Sequence, residues 1–242
     1  MPKPGRINFM SPRDVGLFWR SARTDAEISR VRNQHGNRAA FEAAYTQNYD
    51  PWGAADPRYS YQDRKYHGLI DYLPQGRRFS RALDLGCGLG VLSQHLARFA
   101  DEVLALDIAE AAIERARQRA TGIPNLRFEQ GDILHLPRSL DGGFDLVVLA
   151  DSLYYLPEVD DAQLETLALR ISDLLVPGGL CLLANHHFAG LDRDSRISRR
   201  IHRAFTWSPR FRPLRDGQRP FYLVSLLQEA GTLALCGQGA AD

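Results

Sequence analysis

The sequence predicts an α/β fold: a mostly parallel sheet with helices on both faces. Three observations predict it. From Arg81 onward, short apolar runs alternate with helical patterns, and strands alternating with helices build right-handed βαβ units. The run Phe144–Leu149 (Phe-Asp-Leu-Val-Val-Leu) is nearly all apolar, as a strand buried on both faces must be. A glycine-rich turn, Gly86-Cys87-Gly88-Leu89-Gly90, follows the first apolar run.

The elements follow in chain order. Residues 1–38 are expected to be a flexible or loosely ordered arm or a short helical cap, because Pro2, Pro4, Gly5, Pro12 and Gly16 interrupt any period and Arg20 to Arg38 is highly polar. Arg81–Leu85 is the first strand. Val91–Phe99 is a helix, with Val91, Leu92, Leu96 and Phe99 at helical spacing. Glu102–Leu106 is the second strand, and Ile108–Ala120 is a helix of mostly good helix formers. Leu126–Gln130 and Phe144–Leu149 are the third and fourth strands. Ala162–Leu175 is a helix stopped by Pro177-Gly178-Gly179, and Leu180–Ala184 is the fifth strand. Near the end, Arg193–Phe205 is a candidate basic helix and Phe221–Leu227 a candidate strand.

Composition bounds the function. The 242 residues, 44% hydrophobic and 24% charged, suit one globular domain with room for a smaller attached element. A formal net charge of +1 gives no overall field that would recruit nucleic acid or an anionic membrane. Cys87, Cys181 and Cys236 are odd in number and far apart, so neither a disulfide framework nor a zinc site is expected, and a reducing cytoplasm fits. Lys3, Arg6 and Arg13 have no apolar run between them, and no stretch is long and apolar enough for a span.

Ligands on such a sheet bind outside the carboxyl ends of the strands, where strand order reverses. The first strand ends Asp84-Leu85-Gly86-Cys87-Gly88-Leu89-Gly90. The spacing is G-x-G-x-G, not the G-x-G-x-x-G of dinucleotide sites. Asp84 is poorly placed beside a pyrophosphate and well suited to a cationic ligand. S-adenosyl-L-methionine, with a sulfonium, an amino group and no phosphate, is such a ligand. Asp107 ends the second strand 23 residues beyond Asp84, near the separation of about 20 that puts an acid on ribose hydroxyls. Capping of the next helix is its alternative role. Ile108 could then cover adenine. In Gly131-Asp132-Ile133, Asp132 can accept from the adenine amine and Ile133 can cover the ring; an ordinary turn is the alternative.

The fourth strand ends Leu149-Ala150-Asp151-Ser152-Leu153-Tyr154-Tyr155. Asp151, Tyr154 and Tyr155 are candidates for substrate contact, or for the wall of a cleft. The fifth ends Asn185-His186-His187, and either imidazole could take a proton near neutral pH. Adjacent histidines on a strand point to opposite faces and no third ligand is indicated, so no metal is expected there.

With these residues assembled, Arg81 to Asn185 resembles the class I S-adenosylmethionine-dependent methyltransferases. The resemblance rests on the acidic glycine loop, Asp107, Asp132, the strand ending at Ala150-Asp151, and Pro177-Gly178-Gly179. It implies a Rossmann-like, mostly parallel seven-stranded sheet with an N-terminal helical lid. A narrower resemblance lies upstream, in Tyr49-Asp50-Pro51-Trp52-Gly53 followed by Tyr61-Gln62-Asp63-Arg64-Lys65-Tyr66. This is similar to the start of the nodulation protein S family, which N-methylates the terminal amino sugar of a chitin-derived oligosaccharide.

The resemblance divides the chain into the arm at 1–38, a helical lid at 39–80 and a methyltransferase domain at 81–242. It implies S-adenosyl-L-methionine as cofactor, held by Arg64, Asp84, Gly86, Cys87, Gly88, Asp107, Ile108, Asp132, Ile133 and Ala150. Arg64 suits the methionine carboxylate through its planar fork, and the lid should exclude water. Trp52 and Tyr66 either pack the lid or line the cleft. His187, His186, Asp151 and Tyr155 are the catalytic candidates.

The expected reaction is N-methylation of a small molecule or amino sugar, with no nucleic-acid or membrane partner. O-methylation, a nicotinamide-dependent oxidoreductase and a non-catalytic binding protein are the alternatives. The glycine spacing and Asp84 oppose the oxidoreductase. Arg193, Arg196, Arg199, Arg200, Arg203, Arg210, Arg212 and Arg215 keep nucleic-acid methylation open. Against it, the fourth strand is not followed by the Asn/Asp-Pro-Pro-aromatic step of amino-methylating nucleic-acid enzymes.

Overall fold

The apolar run of the fourth strand is buried through four successive residues, Leu146, Val147, Val148 and Leu149, which requires cover on both faces. In the computed structural model, which describes residues 12–156, 160–188 and 192–231, this strand is central. The strands are β1 (Phe79–Leu85), β2 (Ala100–Asp107), β3 (Leu126–Gln130), β4 (Phe144–Ala150), β5 (Leu175–His187), β6 (Phe211–Arg219) and β7 (Phe221–Glu229). They form one sheet in the order β3-β2-β1-β4-β5-β7-β6. β2 pairs with β3 and β4 with β5 in parallel, whereas β7 runs antiparallel to β5 and β6. The sheet is mixed and Rossmann-like, and its order reverses between β1 and β4, the place where such sheets bind ligands.

By compactness the chain divides into two units, one drawing on residues up to Arg78 and Asp84–His135, the other on Phe79–Leu83 and residues from Leu136.

The first unit opens with α1 (Val15–Gln47), kinked at Gly36, whose φ is +83°. This corrects the loosely ordered arm over residues 15–38 and carries the helix across the expected boundary at 38. Among the described residues, Pro12 precedes the helix in a 3₁₀ turn, where a proline starts rather than breaks it. The helix buries only Leu17, Ile28, Ala40, Ala44 and Tyr45, too sparse a set to show as a period. Polar side chains hold it instead: Thr24 Oγ1 donates to Pro51 O at 2.7 Å, and Trp52 Nε1 to Asp25 Oδ1 at 3.0 Å. The rest of the unit's helices are α2 (Tyr61–Ile70), α3 (Val91–Leu96) and α4 (Glu110–Arg119). Residues 1–11 of the expected arm, and Cys236, lie outside the described residues.

The second unit holds α5 (Asp161–Asp173) and α6 (Arg193–Thr206). Asp160 and Gln163 close a capping box on α5. Pro177-Gly178-Gly179 does not stop that helix, which ends at Asp173; it lies within β5, where the pairing with β4 is irregular between Phe144 and Leu146. Asp145, the one charge in the apolar fourth strand, accepts from Ser80 N and Arg81 N at 2.8 and 2.9 Å, so β1 begins before Arg81. α6 buries Ser195, Ser198, Ile201, His202 and Phe205 on one face. The arginine-rich tail is thus split: Arg193 to Arg203 fall on α6, whereas Arg212 and Arg215 lie on β6. That strand escapes sequence reading because its residues are largely exposed, and arginines with Pro213 blunt a sheet edge. Among the described residues, no helix is long and apolar enough to cross a membrane.

Candidate active site

In the first unit, the glycine loop turns through left-handed backbone. Gly88 has φ +51° and Gly90 φ +69°. A Cβ on Gly88 would meet Tyr45 Oη at 2.6 Å, and one on Gly90 would meet the Phe128 ring at 2.5 Å. Both positions therefore exclude a side chain on conformational and steric grounds.

Four backbone donors of the loop are spent on the protein itself. Gly86 N and Cys87 N both donate to Leu106 O, at 2.8 and 3.0 Å, and Gly90 N donates to Cys87 O at 2.9 Å. Gly88 N donates to Asp107 Oδ2 at 2.8 Å. What the loop presents around these bonds is carboxylate. Asp107 is buried, and its Oδ1 accepts from Ala109 N at 3.0 Å. Burial raises its pKa against the backbone donors that lower it. Asp84 is buried and accepts from Ser93 Oγ at 2.6 Å. Burial pushes its carboxyl up to about 7; the Ser93 bond opposes this and the Asp107 charge adds to it. Burial, then the Asp107 and Asp84 charges, raises the Cys87 thiol well above its usual range, so it is no nucleophile at neutral pH.

Around this loop, Ile108 and Ile133 are half-buried. Asp132 sits in a turn, accepting from Leu134 N at 3.0 Å and lying 2.8 Å from His135 Nδ1. The Asp-Pro-Trp segment is a fixed turn, with Asp50 accepting from Ala54 N and Ala55 N, both at 2.9 Å. Arg115 of α4 holds it through Asn48 O and Tyr49 O, at 2.8 and 3.1 Å. Trp52 packs with Phe41 and Tyr45, at ring distances of 5.9 and 5.6 Å, in a cluster with Leu89, Ala109 and Ala112. Arg64 of α2 pairs with the buried Asp14 at 3.2 Å and donates to Ser60 Oγ. Its fork therefore already meets a carboxylate of the chain.

Sequence reasoning missed Asp14, Asp25, Glu42 and Tyr45. Glu42 accepts from Ala111 N at 3.2 Å, at the start of α4. The available signal was Phe41 and Tyr45, one helical turn apart in an alanine-rich run.

In the second unit, β4 ends at the half-buried Ala150, which pairs with Ala184. Asp151 follows with φ +58°, a conformation a non-glycine residue rarely holds. Its N–H donates to Ala184 O at 2.8 Å. The Tyr154 and Tyr155 rings pack at a tilt of 36° with centroids 4.3 Å apart, and the Tyr154 ring lies 6.2 Å from His186. His186 Nε2 is 3.7 Å from Asp192 Oδ2.

His187 points to the other face of β5. It is 1% exposed, and its Nε2 accepts from Arg199 Nε at 3.0 Å. Burial, then the Arg199 cation, lowers its pKa. The structure thus brings Tyr154, Tyr155 and His186 together and packs His187, named first among the bases, beneath α6.

Comparison with known proteins places the chain. A family model described as a methyltransferase domain matches residues 79–210. Nodulation protein S of Sinorhizobium fredii is 30% identical over 156 residues, covering 64% of this chain and 67% of that protein. The ubiquinone biosynthesis O-methyltransferase of Alkalilimnicola ehrlichii is 31% identical over 132 residues, 52% of each chain. The chain therefore spans about two thirds of the first relative's length and about half of the second's. The crystal structure of the N-methyltransferase NodS from Bradyrhizobium japonicum, in complex with S-adenosyl-L-homocysteine, matches with a TM-score of 0.65. That match covers 88% of this chain and 99% of that one at 20% identity, a likeness of fold.

Proposed function

The chain belongs to the methyltransferase domain family and is an S-adenosylmethionine-dependent methyltransferase, and we propose that it methylates an amino group on a small molecule such as an amino sugar. The observation that carries the cofactor reading is the chemistry of the loop. Four of its N–H donors are bonded internally, while Asp84 and Asp107 supply buried acceptors. A phosphate-bearing nicotinamide cofactor needs the donors; a ligand with a cationic end and ribose hydroxyls needs the acceptors.

The proposed roles follow. Asp107 accepts from the ribose hydroxyls, and Asp84 faces the ammonium end. Gly86, Cys87 and Gly88 allow close approach of backbone, and Asp132, Ile108 and Ile133 receive adenine. Arg64 exchanges Asp14 for the methionine carboxylate. Ala150, the last residue of β4, is assigned to the cofactor from the resemblance alone. The end of α1, the Asp-Pro-Trp turn and α2 form the lid that excludes water, with Trp52 packing it.

Bound cofactor supplies a methyl group on a sulfonium leaving group. The protein's part is alignment, which can supply on the order of 7–11 kcal/mol, and removal of the proton lost by the nucleophile. An amine must be neutral to attack, and His186 is the group we assign to take its proton. Asp151, Tyr154 and Tyr155 orient the acceptor.

Support for nitrogen comes from the similarity to nodulation protein S. The ubiquinone O-methyltransferase relative supports oxygen as the second reading. The test is mass spectrometry of products from three acceptor sets: glucosamine oligomers with a free terminal amine, the same oligomers N-acetylated, and simple phenols. Methyl transfer to the free amine alone is expected. Transfer to phenols alone would give the oxygen reading, and affinity for reduced nicotinamide cofactor in place of S-adenosylmethionine would overturn the cofactor assignment.

A further inference from the structure

α2 and α3 face each other within the first unit, and three metal-ligating side chains meet there. Asp63 and His67 are one turn apart on α2, so they share a face. His95 lies in the last turn of α3. The His67 and His95 rings are 4.7 Å apart, edge to face. Asp63 Oδ2 is 3.5 Å from His67 Nδ1, and Asp63 Oδ1 is 3.9 Å from His95 Nε2. One ligand atom from each residue can be chosen so that all three lie within 4.8 Å of one another.

We propose that Asp63, His67 and His95 form a binding site for a borderline divalent transition-metal ion such as Zn²⁺, bridging α2 and α3. Metal–ligand bonds of about 2.0–2.2 Å require the three groups to draw closer than they stand. Asp63 and His67 are exposed side chains, and the adjustment turns the Asp63 carboxylate and the His67 ring, whose Nδ1 meets Asp63 O at 2.9 Å. His95, whose side chain is 15% exposed, supplies the fixed point.

The donor set selects the ion. Two imidazoles and a carboxylate suit zinc, cobalt or nickel, whereas magnesium and calcium take oxygen ligands. Three protein ligands leave a position for water. Without an ion, the Asp63 carboxylate lies between two imidazoles, and His67 Nδ1 also meets Asp63 O. With one, the site ties the helix that carries Arg64 to the helix that leaves the glycine loop. Sequence reading indicated no metal here because the third ligand is remote in the chain.

The test is titration of the chelator-treated full chain with Co²⁺, followed by visible absorbance and by calorimetry with Zn²⁺. One ion per chain is expected, with the ligand-field bands of bound cobalt. Even outer partners of metal ligands cost about 10–100-fold in affinity when substituted, so Asp63→Asn and His67→Ala should each weaken binding by at least tenfold. Both residues are exposed, so these variants keep the fold, and circular dichroism checks it. His95→Gln is the third variant. His135→Ala, at the separate Asp132–His135 pair, should leave affinity unchanged. Binding that is undetectable, or equal in wild type, Asp63→Asn and His67→Ala, overturns the site.

Discussion

Gly88 N donates to Asp107 Oδ2 at 2.8 Å, which ties the glycine loop to the side chain that ends β2, next to the Gly86 N and Cys87 N bonds to Leu106 O. The same carboxylate caps the chain entering α4 through Ala109 N. The capping role and the proposed ribose role are therefore compatible, since an ionised carboxylate has about four acceptor sites.

Asp107→Ala should weaken cofactor binding by about tenfold to a hundredfold, the range for lost hydrogen bonds to a charged group. Asp107→Asn, which keeps one acceptor oxygen, should fall between the variant and wild type. Calorimetry with S-adenosyl-L-homocysteine reads both, and unchanged affinity in Asp107→Ala would remove the ribose assignment.

Gly88→Ala tests the close approach to Tyr45. The substitution places a Cβ at φ +51° and 2.6 Å from Tyr45 Oη, with the ring carbon behind it at 3.8 Å. Left-handed backbone alone costs about 1–2 kcal/mol. The clash adds to this and belongs to the hydroxyl. In Gly88→Ala/Tyr45→Phe the clash should vanish while the backbone cost remains. The double variant should therefore be more stable than the two single losses add up to. Strict additivity in denaturant unfolding would show that Tyr45 does not press on the loop.

The buried Asp84 gives a pH dependence of defined sign. Its carboxyl titrates near 4 in the unfolded chain and at about 7 when folded. Between those values the folded chain holds the extra proton, so stability falls as pH rises through the window. It falls by at most about 1.4 kcal/mol per pH unit for one proton and levels off above 7. Asp84→Asn removes this slope. Relative to wild type, the variant should gain stability as pH is raised from 4 to 7. A difference in unfolding free energy that stays constant over that range would refute the buried, protonated carboxyl.

The strands were legible because their burial is periodic or continuous, and the loop because its glycines and acids are local. β6 was not, since an edge strand needs no apolar side chains and Arg212, Pro213 and Arg215 carry no strand signature. α1 was hidden for a related reason: polar bonds to Pro51 and from Trp52 hold it, and neither partner is near in sequence. The site divides in the same way. Asp84 and Asp107 stand at strand ends that sequence can place. Tyr45 behind Gly88 and Asp14 on Arg64 are set by tertiary packing. For the adjacent histidines, alternation says that they part, but only the position of α6 decides which is buried.

That division yields the last prediction. His187 gives its Nε2 to Arg199 beneath α6, whereas His186 lies beside Tyr154. His187→Ala leaves the Arg199 Nε without this acceptor, a loss of about 1–3 kcal/mol of stability, and should lower the melting temperature with turnover per folded molecule near wild type. His186→Ala should leave stability and cofactor affinity unchanged and lower kcat by about 10²–10⁴, the usual span for a lost general base. His186→Gln separates bulk from basicity: it restores the polar contact, accepts no proton and should stay slow. If His187→Ala were the slow variant at full stability, the proton would leave through the α6 face, and the acceptor would have to be sought there instead of at Tyr154.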